Sequence, residues 1–165
     1  MLSTKKIEVA IVGAAGKKGG EYLTSLLKRP DIKIAGLVIN KTTTPQIEKL
    51  EKEGVKVFKN GDIYSLLSQV SFDTVLVSVP HFQHDAMTTQ FLNANKYVIK
   101  EKPLAFLNPQ VENYQTIIST KKIPPLFTTV QRSILPSFVK AKSELPLMKL
   151  KSLKPVIKFL MKKIH

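Results

Sequence analysis

The sequence predicts an α/β protein with a doubly wound parallel sheet. Two observations lead to this fold class: apolar, β-branched runs alternate with amphipathic segments along the 165-residue chain, and a glycine-rich turn joins the first run to the first helix. The run at residues 74–79 is apolar almost throughout, as in a strand buried on both faces. In such a sheet, right-handed crossovers place the ligand site at the carboxyl ends of the strands.

Six strands and six helices are predicted in alternation. The strands are expected at residues 6–12, 32–39, 55–58, 74–79, 97–100 and 126–130. The helices are expected at residues 18–28, 45–54, 63–70, 82–95, from 108 onward, and 134–144. Thr44 and Asp62 are expected to cap helices, with Pro45 at a first helical position. The fourth helix is expected to bury the stripe Phe82, Ala86, Met87 and Phe91.

Composition excludes several classes of function. The chain has no Cys, which excludes a disulfide scaffold, a Cys-ligated zinc site, an iron–sulfur cluster and a thiol nucleophile, and no metal site is expected. A chain without Cys fits a reducing compartment, and the expected location is the cytoplasm. No apolar stretch reaches the roughly 18 residues of a membrane-spanning helix.

The positive charge is concentrated at the end of the chain. Lys and Arg number 26 against 12 Asp and Glu, a net charge of +14, and half of this excess lies in residues 140–165. No RNP-type aromatic pattern or helix-turn-helix signature accompanies it, so nucleic acid is not the expected partner. Residues 145–165 are interpreted as a basic amphipathic tail interrupted by Pro155. Three readings stay open: a helix closing one face of the domain, a contact with a membrane surface or acidic partner, or a remnant of a second domain.

The turn after the first predicted strand carries the first candidate site. It reads Gly13-Ala14-Ala15-Gly16-Lys17-Lys18-Gly19, a G-x-x-G-x-x-G variant of the dinucleotide fingerprint between a strand and a helix. Glycines there permit a tight turn and let backbone N–H groups approach a pyrophosphate at the positive end of the helix dipole. The expected cofactor contacts are Gly13, Ala15, Gly16, Lys17 and Lys18. The alternative is a βα turn that binds nothing.

The end of the second strand bears on the choice of cofactor. In NAD-binding sites of this kind, an acidic residue about 20 positions beyond the glycines binds the ribose hydroxyls. In this chain the corresponding positions hold Asn40, Lys41 and Thr42. A cation suits a 2′-phosphate, so Asn40 and Lys41 are expected cofactor contacts, with NADP favoured over NAD. The alternative is that Lys41 is an exposed loop lysine.

Several segments together resemble a known family. They are the glycine turn, Pro80-His81-Phe82-Gln83-His84, the run from Asn95 through Glu101-Lys102-Pro103-Leu104-Ala105, and Gln131-Arg132. In this order they resemble the cofactor domain of the glucose–fructose oxidoreductase, inositol dehydrogenase and MocA family, over about residues 5–140. The resemblance implies a Rossmann-type NAD(P)-binding domain, here residues 1–144.

The resemblance also implies roles for particular residues. Lys102 would lie beside the nicotinamide and the substrate as the catalytic residue, with Glu101 shaping the same pocket. Val79, Pro80 and His84 would border the cofactor, the alternative for His84 being a partly exposed residue in the first turn of a helix. Gln131-Arg132 match only the start of a motif, because Ser133-Ile134 follow where the family usually has arginine and an aromatic residue.

The expected function follows from this resemblance. It is hydride transfer between a nicotinamide and a hydroxyl-bearing carbon of a small, sugar- or polyol-like substrate. Family members continue into a second domain, on an open antiparallel sheet, that supplies substrate contacts and an Asp/His pair. This chain is expected to lack that domain, and so to be inactive without a partner subunit or a homo-oligomer. The alternatives are a non-catalytic NAD(P)-binding or regulatory protein and an interaction protein that uses the tail.

Overall fold

The computed structural model describes residues 6–120, 126–129 and 140. Within them, strands and helices alternate as the sequence predicts. The strands are β1 (Ile7–Val12), β2 (Ile32–Val38), β3 (Lys56–Phe58), β4 (Thr74–Val77), β5 (Tyr97–Glu101) and β6 (Leu126–Thr129). The α-helices are α1 (Lys17–Leu26), α2 (Pro45–Lys52), α3 (Ile63–Gln69), α4 (His84–Asn93) and α5 (Asn108–Ser119).

The six strands form one parallel sheet in the order β3-β2-β1-β4-β5-β6. This arrangement confirms the predicted doubly wound fold. The strand order reverses between β1 and β4, where Val12 is in register with Val38 on one side and Val77 on the other. Ligands of such sheets bind at this switch point, outside the carboxyl ends of the strands.

Side chains of β1 alternate between the two faces of the sheet, and both faces are buried. Ala10 and Val12 join one apolar cluster, which includes Phe91 of α4. Val9 and Ile11 join the other cluster, which includes Leu23 of α1. Burial on both faces explains why β1 and β4 read as nearly continuous apolar runs.

Two predicted helix caps are confirmed. The Thr44 hydroxyl accepts a hydrogen bond from the Ile47 N–H at 3.4 Å, directly before Pro45. The Asp62 carboxylate accepts one from the Ser65 N–H at 2.9 Å. Hydrogen bonds from Ser65 lower the pKa of Asp62, since they favour its charged form.

The predicted core face of the fourth helix is wrong for Phe82 and Ala86, whereas Met87 and Phe91 pack in the core as predicted. Phe82 is 81% exposed and Ala86 is also exposed, because a 3₁₀ turn over His81–Gln83 precedes α4 and changes the phase of the helix. The residues of α4 that are buried are His84, Thr88, Phe91 and Leu92. Only Phe91 of the predicted stripe is fully buried. This shift places Phe82 beside the carboxyl ends of the strands.

The end of the chain falls mostly outside the described residues. Contacts divide the protein into Met1–Thr129, which contains the whole sheet, and Val130–His165. Of the second unit only Lys140 is described, in a helical conformation. The predicted helix 134–144, the boundary at residue 144 and the basic tail therefore remain predictions. Among the helices that the structure describes, none is long and apolar enough to cross a membrane.

Candidate dinucleotide-binding site

A cleft of about 670 Å³ lies at the switch point of the sheet. It is bordered by the turns that follow β1, β2, β3 and β4. Its lining residues are Val12, Gly13, Ala15, Gly16, Val38, Ile39, Asn40, Lys41, Thr42, Asn60, Gly61, Ser78, Val79, Pro80, Phe82, Gln83 and Met87. A volume of this order suits a cofactor-sized ligand.

Two glycines bring the turn after β1 close to its neighbours. Gly13 has φ +85°, and a Cβ there would lie 2.0 Å from the Ser78 carbonyl oxygen at the end of β4. A Cβ on Gly19 would lie 2.0 Å from the Gly13 carbonyl oxygen. Backbone therefore occupies the space of both side chains, and α1 starts directly against the turn.

We expect Gly19→Ala to destabilise the fold by about 3 kcal/mol, because its Cβ overlaps a backbone oxygen that cannot move independently of β1. Gly20→Ala is the matched control. Its Cβ would lie 3.7 Å from the Ala14 carbonyl oxygen, so the helix gains about 0.5–1 kcal/mol from the alanine. Urea unfolding of both variants measures the difference. Equal midpoints would show that the turn is not closely packed.

The N-terminus of α1 borders the cleft at Gly16. Gly16 is the N-cap residue in extended conformation and no side chain caps the helix, so the first N–H groups have no side-chain acceptor. Such groups carry the positive end of the helix dipole and bind anions. The predicted contacts Gly13, Ala15 and Gly16 line the cleft. The side chains of Lys17 and Lys18 are exposed outside its lining, and Lys18 pairs with Glu21 at 2.6 Å.

The turn after β2 borders the opposite side of the cleft. Asn40, Lys41 and Thr42 line it, beside Asn60 and Gly61 from the turn after β3. The Asn60 N–H donates to the Asn40 carbonyl oxygen at 3.0 Å and fixes the two turns to each other. The lining contains no Asp or Glu among the described residues. With no carboxylate among those residues to accept a hydrogen bond from a ligand hydroxyl, this side of the cleft therefore suits an anionic group better.

The end of β4 supplies Val79 and Pro80 to the cleft wall, but not His84. His84 is only 2% exposed, so the alternative of a partly exposed residue is wrong. Its Nε2–H donates to the Val79 carbonyl oxygen at 2.8 Å. Burial lowers the pKa of His84, and the hydrogen bond to Val79 opposes this shift. His84 thus acts on the cleft through the Val79 backbone.

Glu101 and Lys102, at the end of β5, do not line the cleft. The Glu101 carboxylate accepts a hydrogen bond from the Tyr22 hydroxyl of α1. Burial and this bond raise the pKa of Tyr22. Lys102 is exposed and begins the loop after the strand, and its peptide bond to Pro103 is cis. No carboxylate among the described residues forms an ion pair with Lys102.

Sequence reasoning missed several residues of the site. Asn60 and Gly61 both have positive φ, and an Asn-Gly pair after a strand is the turn signal that identifies them. Phe82, Gln83 and Met87 were not predicted to line a cleft, because residues 82–95 were expected to form a helix with Phe82 and Met87 on its core face. No local pattern links Tyr22 to Glu101. Among the described residues, no group of His, Asp and Glu side chains is arranged to hold a metal ion.

Solved structures share this fold. The apo scyllo-inositol dehydrogenase from Lactobacillus casei superposes with a TM-score of 0.71 at 23% identity, covering 88% of this chain and 43% of that one. The scyllo-inositol dehydrogenase from the same organism with bound NAD(H) and scyllo-inositol gives 0.70 at 23%, covering 87% and 42%. Myo-inositol 2-dehydrogenase from Lactobacillus plantarum gives 0.69 at 22%, covering 86% and 41%. The chain spans less than half the length of each.

Sequence comparison agrees with the fold. A comparison with curated proteins found no match. The model of the GFO/IDH/MocA family, an oxidoreductase family with an NAD-binding Rossmann fold, matches residues 7–123. This match covers most of the chain and confirms the resemblance inferred from its motifs. The chain therefore belongs to the GFO/IDH/MocA oxidoreductase family, and its six-stranded sheet is the NAD-binding Rossmann fold of that family.

Proposed function

We propose that this chain is the cofactor-binding part of an NAD(P)-dependent oxidoreductase acting on a hydroxyl-bearing carbon of a sugar- or polyol-like substrate. The observation that carries the proposal is the cleft at the switch point, bordered at Gly16 by the N-terminus of α1, which no side chain caps. Membership in a family with an NAD-binding fold supports the same ligand. The inositol dehydrogenase neighbours, one with bound NAD(H) and scyllo-inositol, support a polyol-like substrate.

The residues of the cleft fit a dinucleotide. The close approach of Gly13 and Gly19 leaves backbone, not side chains, beside the helix start, so a pyrophosphate reaches its N–H groups. In this proposal Asn40 and Lys41 hold the adenosine ribose and its substituents. Val79 and Pro80 border the other half of the cofactor.

The proposed chemistry centres on Lys102. A nicotinamide ring, when bound, supplies the hydride acceptor or donor. Lys102 is proposed to hold the substrate hydroxyl and to move its proton, since an amine is a suitable general acid–base. Glu101, held by Tyr22, orients the strand end that carries Lys102. Within the described residues no carboxylate pairs with Lys102, so the second acid–base group is proposed to come from a partner subunit or another part of the enzyme.

The test is an assay of nicotinamide reduction with a panel of polyols, using the purified chain alone and mixed with candidate partner chains. Reduction that requires both the polyol and this chain would support the proposal. If neither NAD nor NADP binds the chain at millimolar concentration, the proposal is wrong.

Cofactor choice gives a separate prediction. If Lys41 meets a 2′-phosphate, Lys41→Ala should weaken NADPH binding by about tenfold and leave NADH binding within about twofold. Lys52→Ala, an exposed lysine of α2 outside the cleft lining, is the control of equal charge. Parallel fluorescence titrations of the three proteins measure both affinities. An equal loss for NADPH and NADH would contradict the proposed preference for NADP.

A non-catalytic NAD(P)-binding or regulatory protein is the second candidate. It is favoured by the exposed position of Lys102 and the lack of an ion-paired carboxylate partner in the described part of the chain. Turnover by the chain with any partner would exclude it. Either candidate is proposed to work in the cytoplasm, because a chain without Cys suits a reducing compartment.

A further inference from the structure

Lys100 is a buried lysine that the proposed chemistry does not use. It lies in β5, two residues before Lys102, and is only 1% exposed. Its Nζ donates a hydrogen bond to the Leu104 carbonyl oxygen at 2.7 Å. The ammonium also lies 5.3 Å from the centre of the Tyr114 ring of α5. Asp85, which accepts a hydrogen bond from the Tyr114 hydroxyl, is the carboxylate whose charge acts on it.

Fold stability does not explain a lysine at this position. Val98, on the same face of β5, is fully buried, so an apolar side chain would suit the environment. Burial lowers the pKa of Lys100, because desolvation disfavours its charged form, and the charge of Asp85 opposes this shift. Buried ionic groups can often be replaced by apolar residues of similar volume without loss of stability. The lysine therefore calls for another explanation.

The hydrogen bond of Lys100 fixes the loop that carries Lys102. On one side of Lys102, Glu101 is held by the Tyr22 hydroxyl and by the register of β5 with β6. On the other side, Leu104 is held by the Lys100 ammonium. The loop continues to Phe106 and Leu107, whose N–H groups donate to the Gln110 side chain at 2.8 and 3.2 Å. Without Lys100, the chain between Glu101 and Phe106 would keep the packing of Ala105 against the core but lose its hydrogen bond at Leu104.

We propose that Lys100 is a positioning residue, whose ammonium clamps the Leu104 carbonyl and thereby holds Lys102 in place at the end of β5. The clamp itself is a property of this chain's own residues. Its consequence for catalysis rests on the function proposed above for Lys102.

The first test replaces Lys100 by methionine, which is similar in length but cannot donate a hydrogen bond. In Lys100→Met, exchange of the hydrogen-bonded amides within residues 102–107, those of Phe106 and Leu107, should accelerate by about tenfold, because this loop opens more often. The urea midpoint should stay the same or rise, since a buried charge has been removed. NADH affinity should stay within about twofold, because Lys100 does not line the cleft.

The second test restores the ammonium chemically. The sequence has no Cys, so Lys100→Cys introduces a single thiol. Alkylation with 2-bromoethylamine in denaturant, followed by refolding, gives an aminoethyl side chain of lysine length. Alkylation with 1-bromopropane gives the matched side chain without nitrogen. The aminoethyl protein should regain the slow exchange of the Phe106 and Leu107 amides, and the propyl protein should not.

Two results would overturn the clamp. Unchanged exchange of the Phe106 and Leu107 amides in Lys100→Met would show that the loop is held without it. Loss of global stability in Lys100→Met with uniform acceleration of exchange would show a purely structural role. If Lys100→Cys does not refold, the methionine variant alone decides. The hydrogen-exchange and urea measurements are made without cofactor, so a failure to bind NADH contradicts the proposed function but leaves the clamp standing.

Discussion

Gly16→Asp is expected to weaken dinucleotide binding by about 100-fold while leaving the fold as stable as before. Gly16 is the N-cap of α1, and an aspartate there would accept hydrogen bonds from the free N–H groups of the first turn. The same carboxylate would occupy the place proposed for the pyrophosphate and repel it. For two charges about 4 Å apart near a protein surface, the interaction energies of an attractive and a repulsive pair differ by several kcal/mol. Stability and affinity should therefore respond independently.

The control is Gly16→Asn, which has the same shape without the charge. The backbone at Gly16 has φ −72°, which any residue adopts, and a Cβ would lie 3.3 Å from the Gly13 carbonyl oxygen. Both variants meet this contact equally, so their difference isolates the charge. NADH titrations and urea unfolding of the two proteins provide the measurement. Equal affinities in the two variants would mean that no anion lies at the start of α1.

Lys102→Ala is expected to lower turnover by about 100-fold in the assembled enzyme and to leave NADH binding within about twofold. General acid–base groups contribute rate factors of this order. Lys102 lies outside the lining of the cleft, so the cofactor affinity should not depend on it. Stopped-flow binding and steady-state rates with an accepted polyol separate the two quantities.

Lys102→Arg distinguishes proton transfer from charge alone. Arginine keeps the positive charge but does not release a proton at ordinary pH. Both variants should lose turnover if Lys102 moves a proton, whereas only the alanine variant should if Lys102 merely supplies charge. Normal turnover in Lys102→Ala would contradict the catalytic role altogether.

The sheet was predictable from sequence because burial on both faces leaves a local signal. β1 and β4 are apolar almost throughout, and turn residues such as Gly13 and Gly54 separate strands from helices. The caps of Thr44 and Asp62 were predictable because each hydrogen bond joins residues only three positions apart. These signals need no knowledge of distant contacts.

The phase of α4 was not predictable in the same way. Phe82 is apolar, and a helix beginning at residue 82 would bury it. The 3₁₀ turn after Pro80 delays the helix, and tertiary burial then favours His84 and Thr88 despite their polarity. Apolar residues at the carboxyl edge of the sheet line the cleft, so composition alone does not separate core from site.

The candidate site was predictable where it lies in one turn and not where it depends on distant residues. Gly13 to Gly16 and Asn40 to Lys41 each follow a strand, and strand ends meet at one edge of a parallel sheet. By contrast, the Tyr22–Glu101 bond joins residues 79 positions apart. The Lys100 clamp is formed by a residue that any hydropathy pattern places at the surface. Such contacts follow only from the packed fold.

The most direct test of the account is an NMR titration of the ¹⁵N-labelled chain with NADH, observing the seven glycine amides. If the dinucleotide lies in the cleft, the amides of Gly13, Gly16 and Gly61, which line it, should shift. Gly54 borders a separate groove at the opposite edge of the sheet and should not shift. Shifts confined to Gly54, or none at millimolar NADH, would contradict binding at the glycine turn.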